Sequence, residues 1–278
     1  MKVLVLGANS YIAKQFIKTY HDKHNLKAIK RDENLKDYFD LKIEDFKDVD
    51  TVINFTAIVH NKKADESMHK KYNYQLVKYL ADLAKEAKVS HFIQFSTIAV
   101  YGELDSIDAD ATPLPITPYG RYKLKADEYL HILEDKDFIV SMLRPPIVYG
   151  KDAPGNMREL VALSKIPFSL PLGYTKNKRS ILCITNLLSA LDLIIEKKAS
   201  GVFLLKDEES PSIGLLVEQI RTNSTIKMPK YLVDLMLKSR FGIFKKLFGN
   251  LIIDDSVTIS KIGKYHKSSW QNCINKMV

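Results

Sequence analysis

The chain has 278 residues, of which 46% are hydrophobic and 27% charged, a balance typical of a soluble globular protein with one large domain or a core domain and a smaller partner. A net charge of +9 favours anionic partners, but the lysines are scattered along the chain, which argues against nucleic acid. Apolar runs fall short of the roughly 20 residues of a transmembrane span. The two cysteines make neither a disulfide framework nor a metal-binding pattern, so we expect a cytoplasmic protein without a metal.

The first predicted element is a buried strand over residues 2–6, followed by a glycine turn and a helix that runs to about Tyr20. Its almost continuous apolar run is typical of a central parallel strand covered on both faces. Strand, turn and helix N-terminus together form an anion site for a pyrophosphate. We therefore expect the turn to bind a dinucleotide, through Gly7, Asn9, Ser10, Tyr11 and Ile12. Ser10 and Ala13 replace the second and third glycines of the full fingerprint.

The second predicted strand, residues 26–29, ends at Lys30 and Arg31. In dinucleotide-binding folds an acidic residue near this point holds the ribose hydroxyls. Cations here suit a 2′-phosphate instead, so we predict NADPH with Arg31 as a contact. Asp32 keeps NAD(H) open as the alternative, and Asp40 with Leu41 ends a segment that could clamp the adenine.

The third predicted strand, residues 50–55, brings Phe55, Thr56 and Ala57 beside the dinucleotide. His60 follows in a loop that leads toward the substrate cleft. A long amphipathic helix over residues 64–88 carries Asn73, another candidate cofactor contact, and residues 91–95 form the fourth strand.

Two segments carry the candidate catalytic residues. Thr97 follows the fourth strand at its carboxyl end, where open α/β sheets hold their ligands. After a polar loop over residues 103–116, Thr117 and Pro118 predict the start of a helix that places Tyr119 and Lys123 one turn apart on one face. A phenol beside a fixed ammonium loses its proton more easily, so Tyr119 is predicted as general acid/base and Lys123 as the group that lowers its pKa. Tyr-x-x-x-Lys also occurs at residues 38, 74 and 174, where a solvated helix face is the simpler interpretation.

The C-terminal half begins with a strand over residues 138–143 and the segment from Arg144 to Gly150, which includes Pro146 and Ile147. Beyond it we predict helices from Asn156, over 186–197 and over 212–222, with a strand at 202–205. Residues 228–249 are basic, apolar and predicted to be helical. They could rest on an anionic membrane surface or pack on the C-terminal domain with their lysines in water.

The order of four segments resembles the extended short-chain dehydrogenase/reductases that act on nucleotide sugars. These segments are the Gly7 turn, residues 95–102, Tyr119 with Lys123, and residues 144–150. The resemblance implies an α/β protein with a doubly wound parallel Rossmann sheet over residues 1–150. It implies a small C-terminal α/β nucleotide-sugar domain over residues 151–278, parts of which could return to the sheet. Helices 64–88 and 118–134 are the pair that often builds homodimers in such folds.

A narrower likeness, through residues 56–61, 154–156, 179–180 and 246–251, is to bacterial capsule and O-antigen reductases. These convert a UDP-4-keto-6-deoxy-N-acetylhexosamine to UDP-N-acetylfucosamine or UDP-N-acetylquinovosamine. It implies Thr97, Tyr119 and Lys123 as catalytic residues, with Lys123 also on the nicotinamide ribose. By the same likeness Pro146 borders the cofactor, while His60, Ile147, Asn156 and Arg179 contact the UDP-sugar.

Three alternatives stay open. A UDP-hexose 4-epimerase would use the same residues with a retained NAD, and a 4,6-dehydratase is disfavoured because Ile98 and Ala99 stand where that group has acidic residues. A non-catalytic NADP-binding protein would be expected to lack Tyr119 or Lys123, and both are present.

Overall fold

A computed structural model describes residues 1–32, 35–59, 65–155, 159, 161, 171–173, 176–220, 225–238 and 242–277. The strands are β1 Lys2–Leu6, β2 Asn25–Ile29, β3 Thr51–Asn54, β4 His91–Phe95, β5 Ser106–Ile107, β6 Ile139–Arg144, β7 Ile147–Tyr149, β8 Ile181–Cys183, β9 Gly201–Leu204 and β10 Ile252–Ile253. The α-helices are α1 Tyr11–Tyr20, α2 Glu66–Lys70, α3 Leu76–Glu86, α4 Pro118–Leu133, α5 Ile184–Lys197, α6 Ile213–Ile220, α7 Lys230–Lys238, α8 Gly242–Phe248, α9 Ser256–Ile262 and α10 Trp270–Asn275.

The central sheet has six parallel strands in the order β2-β1-β3-β4-β6-β9. The direction of winding reverses between β1 and β3, and the carboxyl ends of these strands form the crevice in which such sheets bind ligands. This is a Rossmann-like α/β fold, as the resemblance implies. β9 comes from beyond residue 150 yet pairs with β6, so the C-terminal half contributes to this sheet.

Both faces of the sheet are covered by helices. Val3 and Val5 pack on one face among side chains of α1 and α5, whereas Leu4 and Leu6 pack on the other among side chains of α3 and α4. All four are fully buried. The uninterrupted apolar sequence of β1 follows directly from this burial on both sides.

The segment predicted as one helix over residues 64–88 is interrupted. A π-helical turn, Lys71–Gln75, lies between α2 and α3. The wider turn directs the fully buried Asn73 side chain at the loop after β3, where it bonds both the N–H and the C=O of Ile58. The interruption therefore serves to hold that loop.

Outside the central sheet, the parallel pair β7-β8 joins a third apolar cluster around Val217 and Trp270, whereas the parallel pair β5-β10 packs in a separate cluster with Val100. Within the third cluster Cys183 and Cys273 form a disulfide with a Cα–Cα distance of 6.2 Å. The expectation of no disulfide was wrong, because a count of two cysteines does not reveal that folding brings together residues 90 positions apart.

The predicted helix over residues 228–249 appears as two helices, α7 and α8, separated by residues outside the described ranges. α7 exposes Tyr231 and Leu235 beside Lys230 and Lys238. None of the described helices has the length and apolar character required to cross a lipid bilayer.

Candidate active site

The N-terminus of α4 positions the two predicted catalytic side chains. The Thr117 hydroxyl oxygen accepts a 3.1 Å hydrogen bond from Gly120 N, and Pro118 occupies the first helical position. A Cβ at Gly120 would lie 2.6 Å from Ala99 O, so glycine permits the close approach of α4 to the turn after β4. The helix start is where the sequence predicts it.

Tyr119 and Thr97 meet at the carboxyl end of β4. Tyr119 is partly buried, and the Thr97 side chain lies near enough to its hydroxyl to affect the Tyr119 pKa. Thr97 Oγ1 accepts a 3.1 Å hydrogen bond from Ala99 N, which fixes its orientation. The two candidate catalytic hydroxyls are therefore neighbours.

The pKa of Tyr119 differs from the expectation. Burial raises it to about 12, Thr97 lowers it in part, and the Asp127 carboxylate raises it further. Lys123 is not among the groups that shift it, and the Lys123 ammonium donates a 2.7 Å hydrogen bond to Phe95 O. The predicted lowering of the Tyr119 pKa is thus wrong, because burial dominates, and Tyr119 keeps its proton at neutral pH.

Lys123 belongs to a buried polar cluster beneath Tyr119. It is 1% exposed, and burial lowers its pKa to about 8 while Asp127 acts in the opposite direction. Asp127 accepts hydrogen bonds from Ser96 Oγ at 2.8 Å and from Arg144 Nε at 3.0 Å. Sequence reasoning missed Asp127, although its position four residues after Lys123 puts both on one helical face.

The glycine turn lies at the end of β1. Gly7 has φ +80°, and a Cβ there would lie 3.0 Å from Phe55 C and from Thr56 N, so only glycine lets the turn approach β3 this closely. Ser10 is the N-cap of α1 and accepts a 3.3 Å hydrogen bond from Ala13 N, which explains why serine suits this position.

These residues fit a dinucleotide pyrophosphate. The amides of Tyr11 and Ile12 lie in the first turn of α1, where helix geometry provides no acceptor, and the helix dipole favours an anion. The Tyr11 hydroxyl lies away from the turn, where a Cβ at Gly150 would be 2.8 Å from it, and it is buried without a hydrogen-bond partner among the described residues. The turn thus offers donors where the sequence predicts a cofactor.

The residues predicted to hold the adenosine lie along the ends of β1 and β2. Asn9 Nδ2 donates a 3.2 Å hydrogen bond to Arg31 O, and the exposed Arg31 guanidinium lies 6.0 Å from the Tyr38 ring centroid. Asp40 accepts from Asp37 N and so caps a short 3-10 helix. The predicted Leu41 contact is buried, and its carbonyl accepts a 2.6 Å hydrogen bond from Tyr79.

A histidine that the sequence did not single out borders Tyr119. The His69 ring lies edge-on to the Tyr119 ring, with 6.2 Å between centroids. His69 Nδ1 is 2.9 Å from Asn73 Nδ2, an amide donor, so Nδ1 accepts and Nε2 carries the proton. Asn73 thus holds His69 and the loop after β3, which continues from Thr56 and the exposed Ala57.

The remaining predicted residues, Pro146 for the cofactor and the others for the substrate, lie further apart. Pro146 is buried after β6, and Ile147 is half-buried at the start of β7. Arg179 Nη1 donates to Lys245 O at 3.4 Å and to Gly249 O at 3.3 Å, beside a cleft of about 320 Å³. His60 and Asn156 lie outside the described residues.

Comparison with known proteins shows to which protein family the chain is related. Residues 3–204 match the NAD dependent epimerase/dehydratase family. A UDP-glucose 4-epimerase of Vibrio cholerae is 29% identical over 223 residues, 74% of this chain and 67% of that protein.

Two solved structures from Bacillus cereus share the fold. UDP-glucuronic acid 4-epimerase in complex with NAD has a TM-score of 0.78 and 19% identity, over 100% of this chain and 95% of the other. UDP-N-acetylglucosamine 4-epimerase has a TM-score of 0.75 and 16% identity, over 99% of this chain and 96% of the other. Because the family match spans well over half of the sequence and contains the glycine turn, Thr97, Tyr119 and Lys123, the chain belongs to the NAD dependent epimerase/dehydratase family.

Proposed function

We propose that the protein reduces the C4 ketone of a UDP-4-keto-6-deoxy-N-acetylhexosamine with NADPH, giving UDP-N-acetylfucosamine or UDP-N-acetylquinovosamine for a surface polysaccharide. The observation that carries the proposal is the position of the Tyr119 phenol beside Thr97 at the carboxyl end of β4, where burial raises the Tyr119 pKa to about 12 and so favours the protonated form. A phenol in this form is a proton donor, which is what an alkoxide forming at C4 requires.

Each candidate catalytic side chain has a separate role in the proposed reaction. Tyr119 donates its proton to the C4 oxygen, and the Thr97 hydroxyl steadies the same oxygen as negative charge develops there. Lys123 supplies a buried positive charge one helical turn from the phenolate that results. A bound NADPH would supply the hydride. Gly7, Ser10, Tyr11 and Ile12 would hold its pyrophosphate.

The preference for NADPH rests on charge at the end of β2. Lys30 and Arg31 are both exposed there and could meet a 2′-phosphate. We expect NADPH to bind more tightly than NADH, and Arg31→Ala to weaken NADPH binding while leaving NADH binding nearly unchanged. Fluorescence titration of both cofactors checks this, and a clear preference for NADH would contradict it.

A second candidate, UDP-sugar 4-epimerisation with a retained NAD, is favoured by the names of the relatives from V. cholerae and B. cereus. The same three side chains would serve it, since epimerisation also moves a hydride and a proton at C4. The two functions differ in their net chemistry, because only the reductase consumes reduced cofactor.

One experiment separates them. The purified protein is incubated with NADPH and a UDP-4-keto-6-deoxy-N-acetylhexosamine, and in parallel with UDP-glucose, UDP-N-acetylglucosamine and UDP-glucuronic acid. Loss of absorbance at 340 nm with formation of UDP-N-acetylfucosamine or UDP-N-acetylquinovosamine, identified by the new C4 hydroxyl in NMR, supports the reductase. C4 epimers formed without net loss of NADPH support the epimerase.

Homodimer formation and contact of α7 with a membrane surface stay predictions. The exposed Tyr231 and Leu235 beside Lys230 and Lys238 are what membrane contact would use. Light scattering and sedimentation with anionic vesicles test the two predictions separately.

A further inference from the structure

Three ionisable side chains with little access to water lie beneath the candidate active site. Lys123 is 1% exposed, Asp127 2% and Arg144 6%. Two of the charges are positive and one is negative, so Asp127 is the only counter-charge that this trio contains. Charges this deeply buried are costly unless they are paired, and each must therefore have a partner or a function.

The two carboxylate oxygens of Asp127 differ in their hydrogen bonds. Its Oδ2 accepts from both Ser96 Oγ and Arg144 Nε. Its Oδ1 is buried and has no hydrogen-bond partner among the described residues. An ion pair with Arg144 alone would account for Oδ2 but leaves half of the carboxylate without a role.

Lys123 has fewer acceptors than its ammonium can use. The ammonium can donate three hydrogen bonds, and among the described residues one goes to the neutral carbonyl of Phe95. Burial favours the uncharged amine, and Asp127, one turn further along the same face of α4, is the charge that opposes this effect.

We propose that Asp127 is a positioning residue for proton transfer, the buried counter-charge that keeps Lys123 in its ammonium form beneath Tyr119. The proposal rests on the proposed function for its kinetic readout only. Asp127 does not touch the reacting atoms and acts through Lys123. Its bonds to Ser96 and Arg144 hold it in place between β4, which leads to Thr97, and β6, which leads to Pro146.

Other groups near the cluster do not replace Asp127. Tyr119 on α4 is neutral, since burial raises its pKa to about 12. Arg144 on β6 is positive and donates through Nη1 to the Tyr101 hydroxyl at 2.7 Å, on the turn after β4. Ser96 is an uncharged donor. Asp127 is the acidic group that faces Lys123. Burial raises the pKa of Asp127, while Arg144, the hydrogen bond from Ser96 and Lys123 itself favour its charged form.

The test compares Asp127→Asn with two matched variants. Ser96→Ala removes one hydrogen bond to the same carboxylate but keeps its charge, and Asp127→Glu keeps the charge with a longer side chain. For each variant the pH dependence of kcat/KM is measured between pH 6 and 9.5. We expect the decline of kcat/KM at alkaline pH to begin at lower pH in Asp127→Asn. In Ser96→Ala and Asp127→Glu the decline should begin at the same pH as in the unaltered protein.

The size of the effect follows from the Lys123 pKa of about 8. If the Lys123 pKa falls by one unit in Asp127→Asn, kcat/KM at pH 6 stays almost unchanged but kcat/KM at pH 8 falls roughly fivefold. A purely structural role for Asp127 would lower activity by the same factor at every pH, and that result would overturn the proposal.

A direct readout separates this inference from the proposed function. The ¹³Cε signal of Lys123, assigned by its loss in Lys123→Arg, is titrated by NMR in the unaltered protein and in Asp127→Asn. A lower titration midpoint in the variant supports the proposal even if no UDP-sugar is turned over. An unchanged midpoint refutes it even if the reductase reaction is confirmed.

Asp127→Asn leaves Arg144 buried without its partner, which could prevent folding. The double variant Asp127→Asn with Arg144→Gln removes both charges, and Asp127 rather than Arg144 is the charge that influences Lys123. It should show the same downward move in the titration of Lys123. An unchanged Lys123 titration in a folded double variant would also refute the proposal.

Discussion

A phenol that keeps its proton can give that proton to an alkoxide, and Tyr119 brings this property to the site. Burial raises its pKa to about 12, so deprotonation contributes little near pH 7. In the reductive direction the proton is needed on the phenol before the reaction. Tyr119 therefore carries the proton that it would donate to the alkoxide.

Replacement of Tyr119 by Phe removes this proton together with the hydroxyl that lies beside Thr97. We expect kcat to fall by roughly 10²–10⁴-fold, as for loss of a general acid. Cofactor affinity should change little. Tyr122→Phe is the matched control, since Tyr122 lies on the same helix with its hydroxyl on the exposed Glu66. Steady-state kinetics and cofactor titration of both variants check this, and a Tyr119→Phe enzyme of near-normal kcat would remove Tyr119 from the mechanism.

A second buried titratable residue affects stability instead of chemistry. His91 is fully buried at the start of β4. Ser141 Oγ donates to Ala199 O, so His91 Nε2 donates to Ser141 Oγ at 2.6 Å, and Nδ1 has no partner among the described residues. Protonation would place a second N–H where no acceptor lies. Burial accordingly lowers the pKa of His91 to about 3, and Lys198 contributes.

The sign of the pH effect follows from this. Above about pH 6.5 His91 is neutral in both folded and unfolded chains. As the pH falls below that value only the unfolded chain takes up the proton, so stability falls by about 1.4 kcal/mol per pH unit until about pH 3.

We expect His91→Gln to reduce the loss of unfolding free energy between pH 7.5 and 5 by about 2 kcal/mol relative to the unaltered protein. Denaturant unfolding at the two pH values measures it, with His21→Gln, at a largely exposed side chain, as control. Equal pH dependence in His91→Gln and the unaltered protein would contradict the assignment.

For individual residues, the sequence predicts the roles of those side chains whose partners lie close by in the chain. Thr117, Tyr119 and Lys123 lie within one helix start, and Ser10 lies in one turn. Asp127 and His69 depend on which elements pack together, since their partners Ser96, Arg144 and Tyr119 come from other segments. The Tyr119 pKa was misjudged because burial outweighs a charge whose position spacing alone does not give.

Among the elements, the glycine turn is the one whose backbone is most constrained. Gly7 has a positive φ, and its neighbours at 3.0 Å are backbone atoms of Phe55 and Thr56, which cannot move aside as a flexible side chain can. Turn and β3 would have to separate to admit a Cβ.

We expect Gly7→Ala to destabilise the fold by roughly 1–3 kcal/mol and to weaken cofactor binding more than tenfold. The matched control is Gly201→Ala, because Gly201 also has a positive φ of 102° but a Cβ there would meet only the end of the Lys261 side chain. Thermal melts and cofactor titrations compare the two. Equal loss of cofactor affinity in both variants would show that backbone strain alone, and not the approach to β3, is responsible.

Elements with a strong periodic or apolar pattern were predictable, and those defined by pairing were not. β1 is an apolar run, β3 and β4 carry the apolar pairs Val52–Ile53 and Phe92–Ile93, and α1 and α4 carry caps. The short strands β5, β7, β8 and β10 have two or three residues each and exist because of their partners. The π-helical turn at Asn73 likewise depends on contact with Ile58, which no helical period reveals.

For the whole molecule, the path of the chain between the two halves limits what sequence reasoning can give. α5 and β9 follow the first residues of the C-terminal half but pack on or pair with the central sheet. The division at residue 150 stays a prediction, and the segments α5 and β9 beyond it belong to the central sheet and its cover.

The disulfide closes the C-terminal part of the structure across 90 positions of sequence. It ties α10 to β8, and both cysteines are buried in the cluster that contains Trp270. A cross-link that closes a loop of this length restricts the unfolded chain and typically stabilises a protein by about 2–4 kcal/mol.

Reduction should therefore lower Tm by roughly 4–10 °C. Trp270 is the single tryptophan of the chain and lies on α10, three residues before Cys273, so its fluorescence reports on this region. We expect dithiothreitol to lower the melting transition seen by tryptophan fluorescence in the unaltered protein, whereas a Cys183→Ala, Cys273→Ala double variant should melt at the lower temperature with or without reductant. Two free thiols by mass after alkylation of the unfolded, non-reduced protein would show that the cysteines are neighbours without a bond, in agreement with the sequence expectation of no disulfide.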